Sequence, residues 1–220
     1  MEDENERENE FITETSQMKS MGVIMDVAKS VCIIQYKNHE NKIINGTGFF
    51  IQLQRNNNPL FCLITNEHVI PKNILISETQ INISYDNQNE KTSILLGREE
   101  RFIRDYTYLN IDAVIIEILP IDNVQKKYFL FPYIDYNEGL GKFKDKEISI
   151  VQYPGGKDLN FSEGKIIDIN DYSNEMSYDS STERGSSGSP IFLKDSRNVL
   201  GIHKQGNKTK KKIMEILLSL

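Results

Sequence analysis

The sequence predicts an all-β protein, an antiparallel barrel or sandwich, on three observations. Its apolar residues fall in short runs rich in Ile, Val, Phe and Thr. Turn clusters rich in Asn, Gly and Asp, such as Arg55-Asn56-Asn57-Asn58-Pro59, separate those runs at short intervals. No apolar run reaches the roughly 18 residues of a membrane span.

The chain opens with a strongly acidic segment. Residues 1–10 hold six acids and one arginine, so they carry most of the net charge of −6. Residues 1–18 read as a disordered acidic tail, without the basic start and apolar core of a signal peptide. The remainder is nearly neutral, which argues against nucleic acid as a partner. A short amphipathic helix or turn is expected from Gly22 to Ala28. Strands follow at Ser30–Tyr36, Ile43–Gln54, Leu60–Thr65, Ile74–Tyr85, Ser93–Leu96 and Ala113–Leu119. Residues 120–143, with Pro120, Pro132, Gly139 and Gly141, read as a connector. A second set of strands is expected at Glu147–Tyr153, Gly164–Ile169, Met176–Thr182, Pro190–Leu193 and Val199–His203. At 220 residues the chain can bury a substantial core as one compact unit or two small ones. Cys32 and Cys62 both lie in apolar strands, which suits buried free thiols in a reducing compartment and points to the cytoplasm.

The most informative stretch is Gly185-Ser186-Ser187-Gly188-Ser189-Pro190, between two strands. It also reads as an ordinary Ser/Gly turn. A nucleophilic serine, however, needs a tight turn that presents its hydroxyl outward, and glycine permits such a backbone. The N–H groups of Gly185 and Ser187 would then be free to form an oxyanion hole. The chain has three histidines, His39, His68 and His203. His68 stands where an apolar strand passes into the polar turn Thr65-Asn66-Glu67-His68, a common place for a base. Asp112 directly precedes the apolar run Ala113-Val114-Ile115-Ile116, so it is at least partly buried and suited to orient an imidazole. The order His68, Asp112, Ser187 is that of one of the convergent catalytic triads. Three scattered histidines and two strand cysteines offer no metal-ligand spacing, and no cofactor is implied.

These motifs resemble the chymotrypsin-like, or trypsin-like, serine proteases from about Ala28 to Gly206. Thr65-Asn66-Glu67-His68-Val69 is similar to the segment around their base, and Asp112-Ala113-Val114 to the strand that carries their acid. Gly185–Pro190 resembles their nucleophile loop, more closely the G-S-S-G-S-P of bacterial, glutamyl-endopeptidase-like members. Gly46-Thr47-Gly48-Phe49 looks like the strand preceding the base. Tyr153-Pro154-Gly155-Gly156 followed by Ser162-Glu163-Gly164-Lys165-Ile166 looks like a hairpin of the second barrel. Leu200-Gly201-Ile202-His203 looks like the strand lining the substrate pocket.

The resemblance implies two antiparallel six-stranded β-barrels with the active site in the cleft between them. Residues 19–125 would form the first barrel, 126–143 the connector and 144–220 the second barrel with a short tail. It implies a serine endopeptidase acting on a protein or peptide substrate. By the same resemblance Ser181 lies near the floor of the specificity pocket. Thr182 and His203 look like the pair that holds a Glu or Gln side chain in glutamyl endopeptidases and picornaviral proteases. Asp179, two residues from Ser181, keeps an Arg or Lys preference open.

Three departures stand beside the resemblance. The disulfide that brackets the base in secreted relatives is missing. No Ile-Val-Gly-Gly-type segment precedes the first strand, so activation by cleavage is not expected. After Gly206 the tail can supply a closing strand or a helix but hardly both, and a C-terminal helix is the stronger expectation. A catalytically silent protease-fold binding module and a shortened inactive homologue are the alternative readings.

Overall fold

The computed structural model describes residues 22–86, 91–97, 101–109, 111–133, 139–170, 173, 175–206 and 212–216. The acidic tail expected over residues 1–18 lies outside the described residues. Residues 22–28 form a helix, α1, as the sequence suggests. The first sheet holds β1 (Val31–Lys37), β2 (Ile43–Arg55), β3 (Asn58–Thr65), β4 (Gln80–Tyr85), β5 (Thr92–Leu95), β6 (Ile103–Asp105) and β7 (Val114–Glu117). Their order is β5-β4-β1-β2-β3-β7-β6, antiparallel throughout.

The second sheet holds β8 (Phe131–Pro132), β9 (Glu147–Gln152), β10 (Asn160–Asn170), β11 (Glu175–Tyr178), β12 (Pro190–Leu193), β13 (Asn198–Gly206) and β14 (Lys212–Ile216). Its order is β12-β9-β10-β11-β14-β13-β8, and β12 also pairs with β13. Strands β9 to β14 thus form a closed antiparallel ring, the expected six-stranded barrel. Strand β8, arriving from the connector, adds to it in parallel on β13.

The first sheet holds seven strands where the resemblance implies six. Its two ends, β5 and β6, flank one stretch of sequence, and a side chain from that stretch ties β5 to β7. Arg101 donates to Leu95 O at the end of β5 (3.2 Å) and to Glu117 O at the end of β7 (2.5 Å). Its guanidinium also grips Asp122 in a two-pronged pair at 2.7 and 3.0 Å. Both side chains are almost wholly buried, a setting in which paired geometry is required.

Alternation along each strand sorts the core into three clusters. Phe50, Leu63, Ile83, Ile94, Val114 and Ile116 fill the first barrel. Ile148, Ile150, Ile166, Tyr178, Ile191 and Leu200 fill the second. The opposite faces of β2, β3 and β7, through Phe49, Ile51, Ile64 and Ile115, meet Val151, Tyr153, Phe192 and Ile202 between the barrels. Val27 of α1 joins this cluster. Strands buried on both faces read as unbroken apolar runs, which is why Phe49-Phe50-Ile51 and Leu63-Ile64 stand out in the sequence.

Several boundaries are corrected. The strand expected over Ile74–Tyr85 begins only at Gln80, because Lys72–Leu75 is a helical turn, α2. Pro71, at φ −63°, sets its entry, and Ser77 Oγ donates to Ile74 O at its exit. Strand β6 has no counterpart among the expected strands, β10 starts four residues earlier than expected, and β11 ends at Tyr178 rather than Thr182. The expected C-terminal helix is instead a strand. Residues Lys212–Ile216 pair antiparallel with both β11 and β13. A helix of so few residues is marginal on its own, whereas a strand in that slot satisfies backbone groups on both neighbours.

Candidate active site

Thr65, the last residue of β3, pairs with Val114, the first of β7. That register brings the turn after β3 alongside the residues before β7, and so His68 beside Asp112. His68 Nδ1 meets Asp112 Oδ2 at 2.5 Å, and the His68 backbone N–H donates to Asp112 Oδ1 at 3.1 Å. Asn66, buried beneath the turn, donates to Asp112 O at 2.6 Å. The His68 side chain is 46% exposed and that of Asp112 18%. Burial alone would raise the Asp112 carboxyl. The hydrogen bonds and charge of His68, aided by the charge of Lys204, outweigh burial and hold it below the usual carboxylate range. An ionised Asp112 accepts at Nδ1, which in a neutral ring favours the tautomer with Nε2 as acceptor.

The loop between β11 and β12 carries Gly185 and Ser187. It is seated on the first sheet: Thr47 N donates to Ser187 O at 3.0 Å. A side chain at Gly188 would overlap Thr47 O and Thr65 Oγ1, so only glycine allows this approach. Strand β13 holds the loop's other side, with Gly188 N donating to His203 O and His203 N to Ser189 O. Among the described residues the Ser187 hydroxyl has its one hydrogen bond, at 3.4 Å, with Lys204 O, and none with His68.

The backbone preceding each candidate oxyanion donor is pinned. Arg184 O accepts from Gly155 N at 2.6 Å, and Ser186 O accepts from Ser189 N at 3.1 Å and Ser189 Oγ at 2.6 Å. In a trans peptide the C=O and N–H point opposite ways. The N–H groups of Gly185 and Ser187 are therefore turned away from those anchors. Gly185 sits at φ 94°, a conformation that favours glycine.

The candidate specificity residues lie on the second barrel. Ser181 is exposed, and its carbonyl accepts from Gln152 Nε2 at 2.9 Å and Ser162 Oγ at 2.8 Å. Thr182 is half-buried. His203 is buried, and its Nδ1 lies 2.5 Å from the Tyr178 hydroxyl. Burial pushes the Tyr178 phenol well above its usual range, so it keeps its proton. Asp179 Oδ1 accepts from Lys165 N at 2.7 Å. Sequence reasoning misses Tyr178 and Gln152, since a tyrosine and a glutamine in apolar strands carry no local signal of a distant partner. Among the described residues no group of three or more His, Cys, Asp or Glu side chains is placed to hold a metal ion.

A family model for the trypsin-like peptidase domain matches residues 46–202. The chain belongs to that family. It is 30% identical over 153 residues to a glutamyl endopeptidase of Staphylococcus epidermidis, an alignment covering 66% of this chain. The chain spans about half (50%) of that relative's length. Among solved structures, the Rv3671c protease from M. tuberculosis in its active form superposes with a TM-score of 0.61. That match has 16% identity and covers 89% of this chain and 79% of that one. A serine endoprotease from Yersinia pestis gives 0.63 at 15% identity, over 90% of this chain and 62% of its own. At such identities these likenesses bear on the fold, which is that of the chymotrypsin-like proteases.

Proposed function

We propose that this trypsin-like peptidase domain is a serine endopeptidase with Ser187 as nucleophile, His68 as general base and Asp112 as the residue that orients it. Ser187 attacks the scissile carbonyl while His68 Nε2 takes its proton and later returns it to the leaving amine. The N–H groups of Gly185 and Ser187 receive the developing oxyanion. The observation that carries this reading is the double contact of Asp112 with His68, on the ring at 2.5 Å and the backbone at 3.1 Å. It favours the tautomer with Nε2 as acceptor. The Ser187 hydroxyl is held by Lys204 O only at 3.4 Å, and catalytic hydrogen bonds are commonly loose without substrate.

The preferred residue before the cut is Glu or Gln. With the Tyr178 O–H donating to Nδ1, His203 keeps its proton on Nε2 and offers it as a donor. Thr182 adds a hydroxyl. Asp179, whose Oδ1 accepts from the Lys165 N–H, keeps an Arg or Lys preference as the alternative. Cys32 and Cys62 are buried and free, which supports residence in a reducing compartment.

The bond from Ser187 to Lys204 O favours one second reading, a silent binding module whose serine never meets its base. A fluorophosphonate probe separates the two. Labelling of the wild type, absent in Ser187→Ala and strongly slowed in His68→Ala, supports the protease. An unlabelled, fully folded wild type leaves the binding module.

A further inference from the structure

Thr47 comes from the barrel that carries His68, yet its polar atoms reach the loop that carries Ser187. It is fully buried in β2. Its N–H donates to Ser187 O at 3.0 Å. Its hydroxyl donates to Gly185 O at 2.8 Å and accepts from Tyr153 N at 3.2 Å. Its own carbonyl accepts from Thr65 Oγ1 at 2.8 Å, three residues before His68. One residue thus touches the carbonyls of both residues whose N–H groups are the candidate oxyanion donors. It also touches the start of the 153–156 turn, whose Gly155 N holds Arg184 O.

Position 47 has the right chemistry for this task and nothing more local to do. The hydroxyl uses its proton on Gly185 O and a lone pair on Tyr153 N, so both of its roles are filled by the second barrel. Valine would match the shape and burial and lose both hydroxyl contacts. A hydroxyl is needed only because two loops of the other barrel must be held at once. Their separation in sequence from Thr47, 138 and 106 positions, means that no local turn can set this geometry.

We propose that Thr47 is the positioning residue of the oxyanion hole, tying the Gly185–Ser187 backbone and the 153–156 turn to the barrel that bears the base. This rests on the serine-protease reading above. The Thr47 hydroxyl touches no substrate and no reacting atom. It sets where Gly185 N–H and Ser187 N–H stand relative to His68, and a misplacement of about 1 Å at such donors costs on the order of 100-fold in rate.

The test compares wild type, Thr47→Val, Thr47→Ser and Ser187→Ala on a peptide substrate, with thermal melts alongside. Thr47→Val is expected to lower kcat roughly 10- to 100-fold with KM within about threefold. Its affinity for a peptidyl trifluoromethyl ketone, which forms the oxyanion, should fall in step with kcat. Thr47→Ser retains the hydroxyl and should restore kcat to within a few fold. A folded Thr47→Val with wild-type kcat and inhibitor affinity overturns the proposal, as does a Thr47→Ser as impaired as Thr47→Val. Should Thr47→Val fail to fold, Thr47→Cys, which keeps a side chain of similar size but hydrogen-bonds weakly, decides: a larger loss of inhibitor affinity than of substrate affinity supports the proposal, and equal losses mean a merely structural role. An inert wild type in the same assay would instead sink the protease reading itself, so the two failures are distinguishable.

Discussion

Asp112 makes both of its carboxylate hydrogen bonds with one residue, His68, and both are strongest when it is ionised. Its carboxyl is held below the ordinary range by His68 despite burial. The unfolded chain returns it to about 3.9. A group depressed in the folded state stabilises fully above the unfolded value and loses that contribution as pH falls through the folded one. Melting temperatures recorded from about pH 6 to pH 2 should therefore separate wild type from Asp112→Asn above about pH 5. The gap should begin to close only below about pH 4 and vanish as pH falls through the depressed folded-state value, where the wild-type carboxyl is protonated; a gap that does not change with pH would show that the ionised pairing adds nothing to stability. On the second barrel, His203 tests the specificity assignment. If the proposed roles hold, His203→Ala should abolish the preference for Glu or Gln in a peptide library while fluorophosphonate labelling of Ser187 persists, because His203 is proposed for the pocket and not for the triad. Equal cleavage after Lys, Leu and Glu by the wild type would refute the role of Thr182 and His203.

Strand β14 fills the slot between β11 and β13, with Met214 opposite both Met176 and His203. A proline there removes a ladder donor from a central strand and cannot adopt the pairing geometry, leaving backbone partners unpaired at about 1–3 kcal/mol each. Met214→Pro should lower the melting temperature by on the order of 10 °C, against a small effect for Met214→Val. Amide exchange should speed up in β11 and β13 before it does in β2 or β3. The strands most legible in the sequence are those buried on both faces, where apolar residues run unbroken, as in Phe49-Phe50-Ile51. The segment from Ile74 to Thr79 misleads because its apolar residues suit a strand and a helical turn alike, and Pro71 tips it to the turn. Ile103-Arg104-Asp105 is too short to show any period. The tail is ambiguous because which edge lies vacant is a property of the assembled sheet.

The two barrels share a core built from Phe49, Ile64 and Ile115 on one side and Val151, Phe192 and Ile202 on the other. The candidate site inherits its rigidity from that contact. The anchors of residues 184–189 described above come from positions 47, 155, 189 and 203. Deleting residues 1–18 is accordingly expected to leave kcat/KM within a few fold, and a loss of 100-fold or more would reveal a role for that segment in ordering the site. The candidate triad residues are legible because each sits in a telling local setting, a turn after a strand or a glycine-rich loop. Thr47 and Tyr178 are not, since each is defined by a partner that only the folded chain brings near.

The late position of β14 also has a consequence for how the protein is made. Synthesis runs from the N-terminus, so the first barrel can form while the second still lacks one stave. Until residues 212–216 emerge, β11 and β13 present open edges that another nascent chain could pair with. The strand bearing His203, and with it one wall of the Ser187 loop, gains its second neighbour last. A released chain ending just past Gly206 would thus hold His68 and Asp112 in a complete first sheet while β13, the wall of the Ser187 loop, lacked its β14 neighbour.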